Sequence, residues 1–254
     1  MTDAFIAELI AARACRGQAS PPSEKQPLTS ADAYAIQDRL REALTKRGER
    51  VIGWKAGFTN KATQAAFQSS EPVSGFLLAS GVFASGAEVP MARFTSLAVE
   101  AEVAFVMRED LAGPGITPPH ALLAAEGALP ALELIDMRYA GKAIGTDVVA
   151  DGVYANAIVL GAPLSSVTGM DLALEGLVYE LNGAITATNT AAEVMGSPLN
   201  SLAWLANQLG ARGLGLRAGD VVMSGSVSTL LRPKAGDVVR ATFTRLGSVS
   251  ARFV

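Results

Sequence analysis

Two glutamates at alternating positions interrupt an otherwise apolar segment at residues 95–107. Glu100 and Glu102 have apolar stretches on both sides. Because successive side chains of a β-strand point to opposite faces, both carboxylates would lie on the same face of a strand. Neighbouring like charges repel each other unless a positive group lies between them. The spacing therefore indicates either a cation site or an exposed polar face with Lys or Arg partners, and the apolar neighbours count against the exposed face.

A third glutamate, Glu133, lies in the apolar segment PALELI at residues 130–135. Burying a single carboxylate without a partner is costly. Three buried carboxylates without a nearby histidine favour a hard, oxygen-preferring ion such as Mg²⁺ or Mn²⁺. The chain contains one histidine, His120, and one cysteine, Cys15, which excludes metal sites built from several histidines or several cysteines.

A lysine lies in another apolar segment, VIGWKAGF at residues 51–58. Lys55 is either an ordinary lysine whose alkyl chain is covered while its ammonium group reaches water, or a partner of the carboxylates. Three carboxylates and one divalent ion leave one net negative charge, which a nearby ammonium group would cancel. An anionic substrate would then meet no net repulsion at the site.

These residues need a scaffold, and the sequence divides into a helical first part and a strand-rich remainder. Apolar residues at helical spacing predict a first helix that Gly17 ends and a second helix that begins at a Thr29–Asp32 capping box. Ser197 and Pro198 are typical of the start of a third helix. Strands are predicted at residues 51–58, 95–107, 130–135, 155–161 and 176–183, and after the Gly-Asp turns of 218–225 and 235–243.

The order of these elements, helices first and then mostly strands, differs from the regular strand–helix alternation of a barrel or a doubly wound sheet. It predicts an α+β fold built on a β-sandwich or β-roll. His120 precedes the Ala- and Leu-rich residues 121–129, so we expect it at the start of a helix.

The 254-residue length and the 50% hydrophobic content exclude a disordered chain and predict a large buried core. A net charge of −3 leaves no overall basic surface for nucleic acid. We find no secretory signal or membrane-spanning segment, and with a single thiol this predicts a cytoplasmic protein without a membrane partner. The many alanines and leucines predict apolar surface for self-association as a homo-oligomer.

Six ordered blocks extend over nearly the whole chain. They are GWKAGFTN (53–60), VEAEVAFV (99–106), PALELIDMRY (130–139), VMGSPLNSLAWLANQL (194–209), AGDVVMSGS (218–226) and LGSVSARF (246–253). Together they resemble the 2-keto-4-pentenoate hydratase and 4-oxalocrotonate decarboxylase family of the fumarylacetoacetate hydrolase superfamily. The resemblance implies a catalytic β-roll core at residues 76–254. The N-terminal helices and first strand, residues 1–75, would pack on this core within one structural unit.

The same resemblance implies that a Mg²⁺ or Mn²⁺ ion is held by the three glutamates and that Lys55 acts at the substrate. It also implies that the MSGS turn at residues 223–226 lies against the substrate, which predicts three substrate contacts: Ser224, Gly225 and Ser226. Asp136 and Arg138 either support the site from behind its ligands or form a surface pair.

The chemistry that suits this arrangement uses a 2-oxo acid, whose carboxylate and keto oxygens together chelate a metal ion. The ion would withdraw electrons and stabilise an enolate. Water could then add to a conjugated double bond, or CO₂ could leave. Lys55 could move protons or hold the charge of the substrate.

Two segments depart from the family pattern. Where the family has ADNAS, this chain has ADGVY at residues 150–154, so Asp151 is kept as a supporting residue while Gly152 replaces an asparagine and Tyr154 replaces a serine. The bulky phenol is predicted to line the substrate pocket and to change its shape. Where the hydratases carry an aspartate in P-D-x-G that positions water, this chain has Val73, and the decarboxylases tend to be apolar there. The resemblance therefore implies that Val73 contacts the substrate.

The sequence therefore predicts a divalent-metal-dependent lyase of the hydratase type that acts on a short 2-oxo or 2-hydroxydienoate acid. A decarboxylase of the 4-oxalocrotonate type is the alternative within the same chemistry. A second alternative is a non-catalytic protein that keeps the fold and the metal but has lost turnover through the change at residues 152–154. The single histidine counts against the hydrolases of the superfamily, which rely on a His–Glu pair.

Overall fold

The computed structural model describes residues 3–15 and 17–254. In this part of the chain the helices are α1 (Asp3–Arg13), α2 (Ser30–Thr45), α3 (Lys61–Ala66), α4 (Pro118–Ala124), α5 (Gly145–Ala150) and α6 (Pro198–Gly210). The strands are β1 (Val51–Gly57), β2 (Val73–Leu78), β3 (Val82–Ala84), β4 (Ala87–Val89), β5 (Leu97–Met107), β6 (Ala125–Asp136), β7 (Ala155–Leu160), β8 (Gly176–Leu181), β9 (Ala184–Thr190), β10 (Val221–Ser226), β11 (Val238–Phe243) and β12 (Gly247–Phe253). The predicted α+β class is confirmed.

The strands form two sheets. The larger sheet has seven strands in the order β2-β1-β10-β5-β6-β7-β3, and the smaller has five in the order β4-β12-β11-β8-β9. β1 is parallel to β10 and antiparallel to β2, so the first strand of the chain lies inside the larger sheet. β11 and β12 contact β6, which places the smaller sheet against the larger one.

The centre of the larger sheet is the antiparallel pair of β5 and β6. The pairing extends from Leu97, opposite Asp136, to Met107, opposite Ala125. Nearly every residue of both strands is buried, which shows that both faces of the pair are covered. A charged side chain on these strands is therefore buried and needs a partner.

β6 begins earlier in the chain than the sequence predicts. α4 holds His120 in its first turn, which confirms the predicted helix start, but α4 ends at Ala124. The Ala- and Leu-rich residues that follow form a strand because β5 offers them a pairing partner; Ala128, for example, lies opposite Phe105. Tertiary pairing thus overrides local helix propensity.

The predicted capping box begins α2. Thr29 Oγ1 accepts a hydrogen bond from Asp32 N at 3.1 Å, and Asp32 Oδ2 accepts one from Thr29 N at 3.1 Å. α1 packs against α2 and buries the side chains Phe5, Ile6, Leu9 and Ala12. The helices in the described part of the chain are too short or too polar to cross a lipid bilayer.

Candidate metal centre

Three glutamates from β5 and β6 meet at the centre of the larger sheet. Glu100 lies directly opposite Glu133 in the register of the two strands, and Glu102 is two residues further along β5. Each glutamate offers one carboxylate oxygen, and these oxygens lie within 4.8 Å of one another. Glu102 and Glu133 are 1% and 0% exposed, and Glu100 is partly buried. The structure therefore brings together the three glutamates that the apolar segments singled out.

A buried ammonium group lies beside this cluster. Lys55 Nζ, at the end of a side chain on β1, donates hydrogen bonds to Glu133 Oε2 at 2.7 Å and to the Val153 carbonyl oxygen at 3.2 Å. The Lys55 side chain is 3% exposed. Lys55 is therefore a partner of the carboxylates and not a lysine whose ammonium group reaches water.

The cluster concentrates charge in a buried place. Burial raises the pKa of Glu100 to about 7, and the nearby Glu133 charge adds to this increase. Burial, together with Glu133 and Glu100, also raises the pKa of Glu102 well above its ordinary value. For Lys55, burial acts to lower the pKa, but the three glutamates outweigh burial and the pKa is raised. Lys55 therefore stays protonated at neutral pH, and a further cation would stabilise the ionised glutamates.

The donor set fits an oxygen-preferring divalent ion. Glu133 Oε1 is buried and has no hydrogen-bond partner among the described residues, although Oε2 of the same carboxylate binds Lys55. A buried oxygen without a partner is unfavourable, and a hard cation is the partner that converging carboxylates suit. Gly225 N donates a hydrogen bond to Glu102 Oε2 at 2.9 Å, which fixes the orientation of that carboxylate.

A cavity of about 360 Å³ adjoins the cluster, and both Lys55 and Glu100 line it. Aromatic and aliphatic side chains form much of the wall: Phe58, Phe67, Ile135, Met137, Val148, Val153, Tyr154 and Leu230. The wall also contains these polar residues: Asn60, Thr63, Ser226, Ser228 and Thr229. Among the described residues that line this cavity, Lys55 is the only cationic one. A small molecule with a negatively charged end and an apolar remainder would suit it.

Two of the residues predicted to contact the substrate line this cavity, namely Tyr154 and Ser226. Ser224, in contrast, is fully buried, and its Oγ donates a hydrogen bond to the Val103 carbonyl oxygen at 2.7 Å. Gly225 reaches the cluster only through its N–H group. The φ of Gly225 is +116°, and a Cβ on this residue would lie 2.4 Å from Thr59 Oγ1. Both the backbone conformation and the contact with Thr59 therefore require glycine.

Val73 does not line the cavity, in contrast to the prediction. It is buried on β2, where it pairs with Gly57 of β1. Residues 71–75 depart from the family pattern at this position, but the structure places the valine side chain in the packing of the sheet. The reason is register: Val73 pairs with the residue that ends β1, and it packs where Gly57 has no side chain.

Asp136, Arg138 and Asp151 form a fully buried network, so the surface-pair interpretation of Asp136 and Arg138 is wrong. Arg138 donates to Asp151 through Nε, at 3.2 Å from Oδ1, and through Nη2, at 2.6 Å from Oδ2. Its Nη1 lies 3.7 Å from Asp136 Oδ2. Asp136 Oδ1 accepts hydrogen bonds from the backbone N–H groups of Thr95 and Ser96 at 2.9 and 2.7 Å. This network anchors the end of β6 and the segment that follows α5.

A turn of three residues with positive φ connects this network to the site. The φ angles of Gly152, Val153 and Tyr154 are +80°, +58° and +57°. Positive φ is uncommon for residues other than glycine and rare for a β-branched residue. The turn brings the Val153 carbonyl oxygen to Lys55 and the Tyr154 ring to the cavity wall.

No pattern in the sequence marks most of the aromatic and polar residues of the outer cavity wall. Phe58 and Asn60 follow Lys55 by three and five residues in the GWKAGFTN block, and this proximity is a signal that could have found them. Asn60 also caps α3, because its Oδ1 accepts a hydrogen bond from Thr63 N at 2.8 Å. Phe67 stacks on Phe58 with ring centroids 4.8 Å apart, and no local pattern marks it.

The residues of this site fall within a region that matches a known protein family. The match, to the family described as fumarylacetoacetate (FAA) hydrolase C-terminal, covers residues 49–254. The chain belongs to the fumarylacetoacetate hydrolase family.

Characterised members of the fumarylacetoacetate hydrolase family resemble the chain over most of its length. It is 35% identical over 228 residues to 4-oxalocrotonate decarboxylase of Pseudomonas putida, which covers 89% of this chain and 86% of the relative. It is also 35% identical over 238 residues to 2-hydroxyhexa-2,4-dienoate hydratase of Comamonas testosteroni, with 92% and 90% of the two chains covered.

A solved structure of 4-oxalocrotonate decarboxylase from Pseudomonas putida G7, complexed with magnesium and adipate, superposes on the chain with a TM-score of 0.94. The sequence identity is 31%, and the superposition covers 99% of this chain and 96% of the other. These likenesses confirm the predicted family and fold, and they identify this fumarylacetoacetate hydrolase family member as an enzyme.

Proposed function

We propose that the protein is a divalent-metal-dependent lyase of the hydratase type that acts on a short 2-oxo or 2-hydroxydienoate acid. The observation that carries this proposal is the convergence of Glu100, Glu102 and Glu133 within 4.8 Å, with Lys55 2.7 Å from Glu133, beside a cavity of about 360 Å³. The names of relatives, which include hydratases and a decarboxylase of such acids, support the same reaction class.

We propose Mg²⁺ or Mn²⁺ as the ion, held by the three glutamates. Carboxylate oxygens are hard ligands that suit these ions, and the solved 4-oxalocrotonate decarboxylase structure contains magnesium. When bound, the ion supplies a positive charge that withdraws electrons from a 2-oxo acid chelated through its carboxylate and keto oxygens.

Lys55 supplies the second positive charge. Three carboxylates, a divalent ion and one ammonium group sum to zero charge, so an anionic acid can approach without net repulsion. Because its raised pKa keeps Lys55 protonated, its ammonium group can bind the negative charge that develops on the substrate and donate a proton to it. The Val153 carbonyl oxygen and Glu133 hold Nζ in place for this role.

The cavity wall selects the rest of the substrate. Phe58, Phe67, Met137 and Leu230 present apolar surface, and Lys55 is already paired with Glu133. A second carboxylate on the substrate would lose its hydration there without gaining an ionic partner. We therefore propose a monocarboxylic substrate with an apolar tail.

Decarboxylation of the 4-oxalocrotonate type is the second candidate. The observation that favours it is the TM-score of 0.94 with 4-oxalocrotonate decarboxylase. Both reactions begin with the same withdrawal of electrons toward the 2-oxo end, and they differ in whether water adds or CO₂ leaves. The apolar cavity wall favours hydration, because a 4-oxalocrotonate-type substrate carries a second carboxylate.

The experiment is a product analysis of the purified protein with a panel of 2-hydroxydienoates, with and without Mg²⁺, followed by ultraviolet absorbance. Hydration yields a 4-hydroxy-2-oxo acid, decarboxylation yields CO₂, and a non-catalytic binding protein yields neither. A 4-hydroxy-2-oxo acid that forms only with the metal supports the proposal. Release of CO₂ from a dicarboxylic substrate would show that the reaction is decarboxylation and not hydration. Absence of both products would leave only a non-catalytic binding function.

We also propose that the protein associates with copies of itself. β9 lies at an edge of the smaller sheet, and Ile185 on this strand is 65% exposed. An exposed edge strand with an apolar side chain favours contact with another chain. Light scattering coupled to size-exclusion chromatography measures the mass, and a mass of one chain at micromolar concentration would contradict self-association.

A further inference from the structure

We propose that Arg13, at the end of α1, is a positioning residue for Lys55. Its guanidinium group binds both ends of the turn formed by Gly152, Val153 and Tyr154, and this turn holds Lys55. Arg13 lies outside residues 49–254, the range that matches the family. The activity measurement for this inference rests on the proposed function, whereas the structural measurement does not.

The turn needs support from its surroundings. All three residues have positive φ, and Val153 is β-branched, which makes its φ of +58° a rare conformation. Such conformations persist only where neighbouring groups hold them in place. The Val153 carbonyl oxygen is the group that accepts the 3.2 Å hydrogen bond from Lys55 Nζ, so the position of Lys55 depends on the turn.

Arg13 holds the two ends of this turn with one side chain. Its Nη2 donates to the Asp151 carbonyl oxygen, just before the turn, and its Nη1 donates to the Ala155 carbonyl oxygen, just after it, at 3.0 Å. The Arg13 side chain is 10% exposed. A planar guanidinium group presents two donors in a fixed geometry, which suits it to bridge two carbonyl oxygens. A lysine ammonium group lacks this fork.

Gly152 and Arg13 fit each other. A Cβ at Gly152 would lie 2.9 Å from Arg13 Nη2 and 3.1 Å from Phe76 Cε1. The guanidinium group therefore occupies the space that a side chain at position 152 would need. This contact gives a physical reason for glycine at a position where the family pattern has asparagine.

A second arginine supports the same segment from another direction. Arg138 holds the Asp151 carboxylate with two hydrogen bonds, and its Nη2 lies 3.4 Å from the Ala155 carbonyl oxygen. Arg13 Nη2 lies 3.9 Å from Asp151 Oδ1, so the two guanidinium groups share this carboxylate. Arg138 fixes the side chain of Asp151, whereas Arg13 binds the main-chain carbonyl oxygen on the same residue.

Loss of the Arg13 guanidinium group should affect Lys55 but not the metal site. Within the described part of the chain, the hydrogen bonds of Arg13 go to the carbonyl oxygens of residues 151 and 155, and none goes to the three glutamates. Removing its guanidinium group should let the turn relax and carry the Val153 carbonyl oxygen away from Lys55. Metal affinity should stay the same while the chemical step slows.

The test compares Arg13→Met and Arg13→Lys with Leu9→Ala. Leu9 is a fully buried residue of α1 that lies away from the turn in sequence, so Leu9→Ala weakens the packing of α1 and keeps the guanidinium group. We expect Arg13→Met to lower kcat by about 10- to 100-fold with KM and the Mg²⁺ Kd changed by about twofold or less. Arg13→Lys should recover part of the kcat, and Leu9→Ala should lower Tm but keep kcat.

A double-variant cycle adds a measurement that general destabilisation would not reproduce. Gly152→Asn should displace the guanidinium group and lower kcat in the same way as Arg13→Met. The Gly152→Asn, Arg13→Met double variant should be no slower than the slower single variant, because both changes remove the same contact. Multiplicative losses in the double variant would show that the two residues act independently and would overturn the inference.

Crystal structures of the wild type and of Arg13→Met decide the question even if no turnover is found. We expect the hydrogen bond between Lys55 Nζ and the Val153 carbonyl oxygen in the wild type and its loss in the variant. An unchanged turn and an unchanged hydrogen bond in Arg13→Met would overturn the inference. So would a kcat for Arg13→Met equal to that of Leu9→Ala. Inactivity of the wild type on every substrate would instead contradict the proposed function.

Discussion

Lys55 and Glu133 form an ion pair in which both partners are buried: 2.7 Å separates Nζ from Oε2, and the side chains are 3% and 0% exposed. Removing two charges from water costs about as much as their attraction returns, so such a pair adds little net stability. Its position beside two further glutamates and a cavity suggests a chemical use.

Lys55→Met should abolish most turnover without weakening metal binding. Lys55 is the one cationic side chain that the structure shows lining the cavity. Loss of a positioned acid or base typically lowers kcat by about 10²- to 10⁴-fold. Because the ammonium group repels a metal ion, the Mg²⁺ Kd should stay the same or decrease. Isothermal titration calorimetry and steady-state kinetics measure the two quantities. The matched control is Lys61→Met, which alters a lysine that is hydrogen-bonded to Gln64 on α3 and should keep full activity. Full activity in Lys55→Met would show that Lys55 takes no part in the reaction.

Metal binding should strengthen as pH rises and should release protons near neutrality. The pKa of Glu100 is raised to about 7, so this carboxyl group is partly protonated near pH 7 in the metal-free protein. The pKa of Glu102 is raised in the same direction, by burial and by the neighbouring glutamates. A metal ion must displace these protons. Calorimetry in buffers with different ionisation enthalpies counts the protons released. The pH values 5.5 and 8 lie on either side of the Glu100 pKa of about 7. A Mg²⁺ Kd that is the same at these two pH values would contradict the prediction.

The metal-free protein should lose stability as pH rises from about 4.5 to about 7. Over this range Glu100 keeps its proton in the folded state but loses it in the unfolded state, because its folded pKa lies above the ordinary value of 4.5. The folded state then binds more protons, so the free energy of unfolding decreases with rising pH. Urea denaturation at several pH values measures it. Glu100→Gln should flatten this dependence, and saturating Mg²⁺ should reverse it; an increase in metal-free wild-type stability over the same range would count against a buried, protonated Glu100.

Tyr154→Ser should widen the substrate range of the cavity. The Tyr154 ring lines the cavity and packs edge-on against Tyr139 with centroids 5.9 Å apart, so a serine there would leave space beside the site. We expect the variant to gain activity on the five-carbon 2-hydroxydienoate relative to the wild type. Competition assays with acids of different tail length measure the change. If the wild type already uses the five-carbon acid well and Tyr154→Ser alters nothing, Tyr154 serves only in packing.

The sequence predicts the cluster well because its signal is local. Glu100, Glu102 and Glu133 stand out as charges within apolar strands, and strand alternation alone places the first two on one face. That Glu133 lies opposite Glu100 depends on the register of β5 and β6, which a sequence pattern does not determine. The early start of β6 is hidden from the sequence for the same reason, since its Ala- and Leu-rich beginning is a strand only because β5 pairs with it.

The rest of the site depends on contacts between distant segments. Arg13 is 138 residues away from Asp151 in the chain, and no motif connects them. Val73 was predicted to contact the substrate, but pairing with Gly57 places it within the sheet. Phe67 reaches the cavity wall through stacking on Phe58, which follows from the placement of α3 and from no spacing in the sequence. Charged residues within apolar segments are therefore predictable from the sequence. Residues that reach the site through packing between distant segments are not.

The most direct measurement is a Mg²⁺ titration of 2-hydroxydienoate turnover in the wild type and in Glu102→Gln, after removal of metal with a chelator. Glu102→Gln keeps the shape of the side chain and removes one negative charge from the cluster. If the three glutamates hold the ion that activates the substrate, turnover in the wild type will be absent without metal and will saturate with Mg²⁺. The variant will need at least about tenfold more Mg²⁺ to reach half of its own maximal rate. Turnover that persists in the chelated wild type, or an identical Mg²⁺ dependence in Glu102→Gln, would contradict the account.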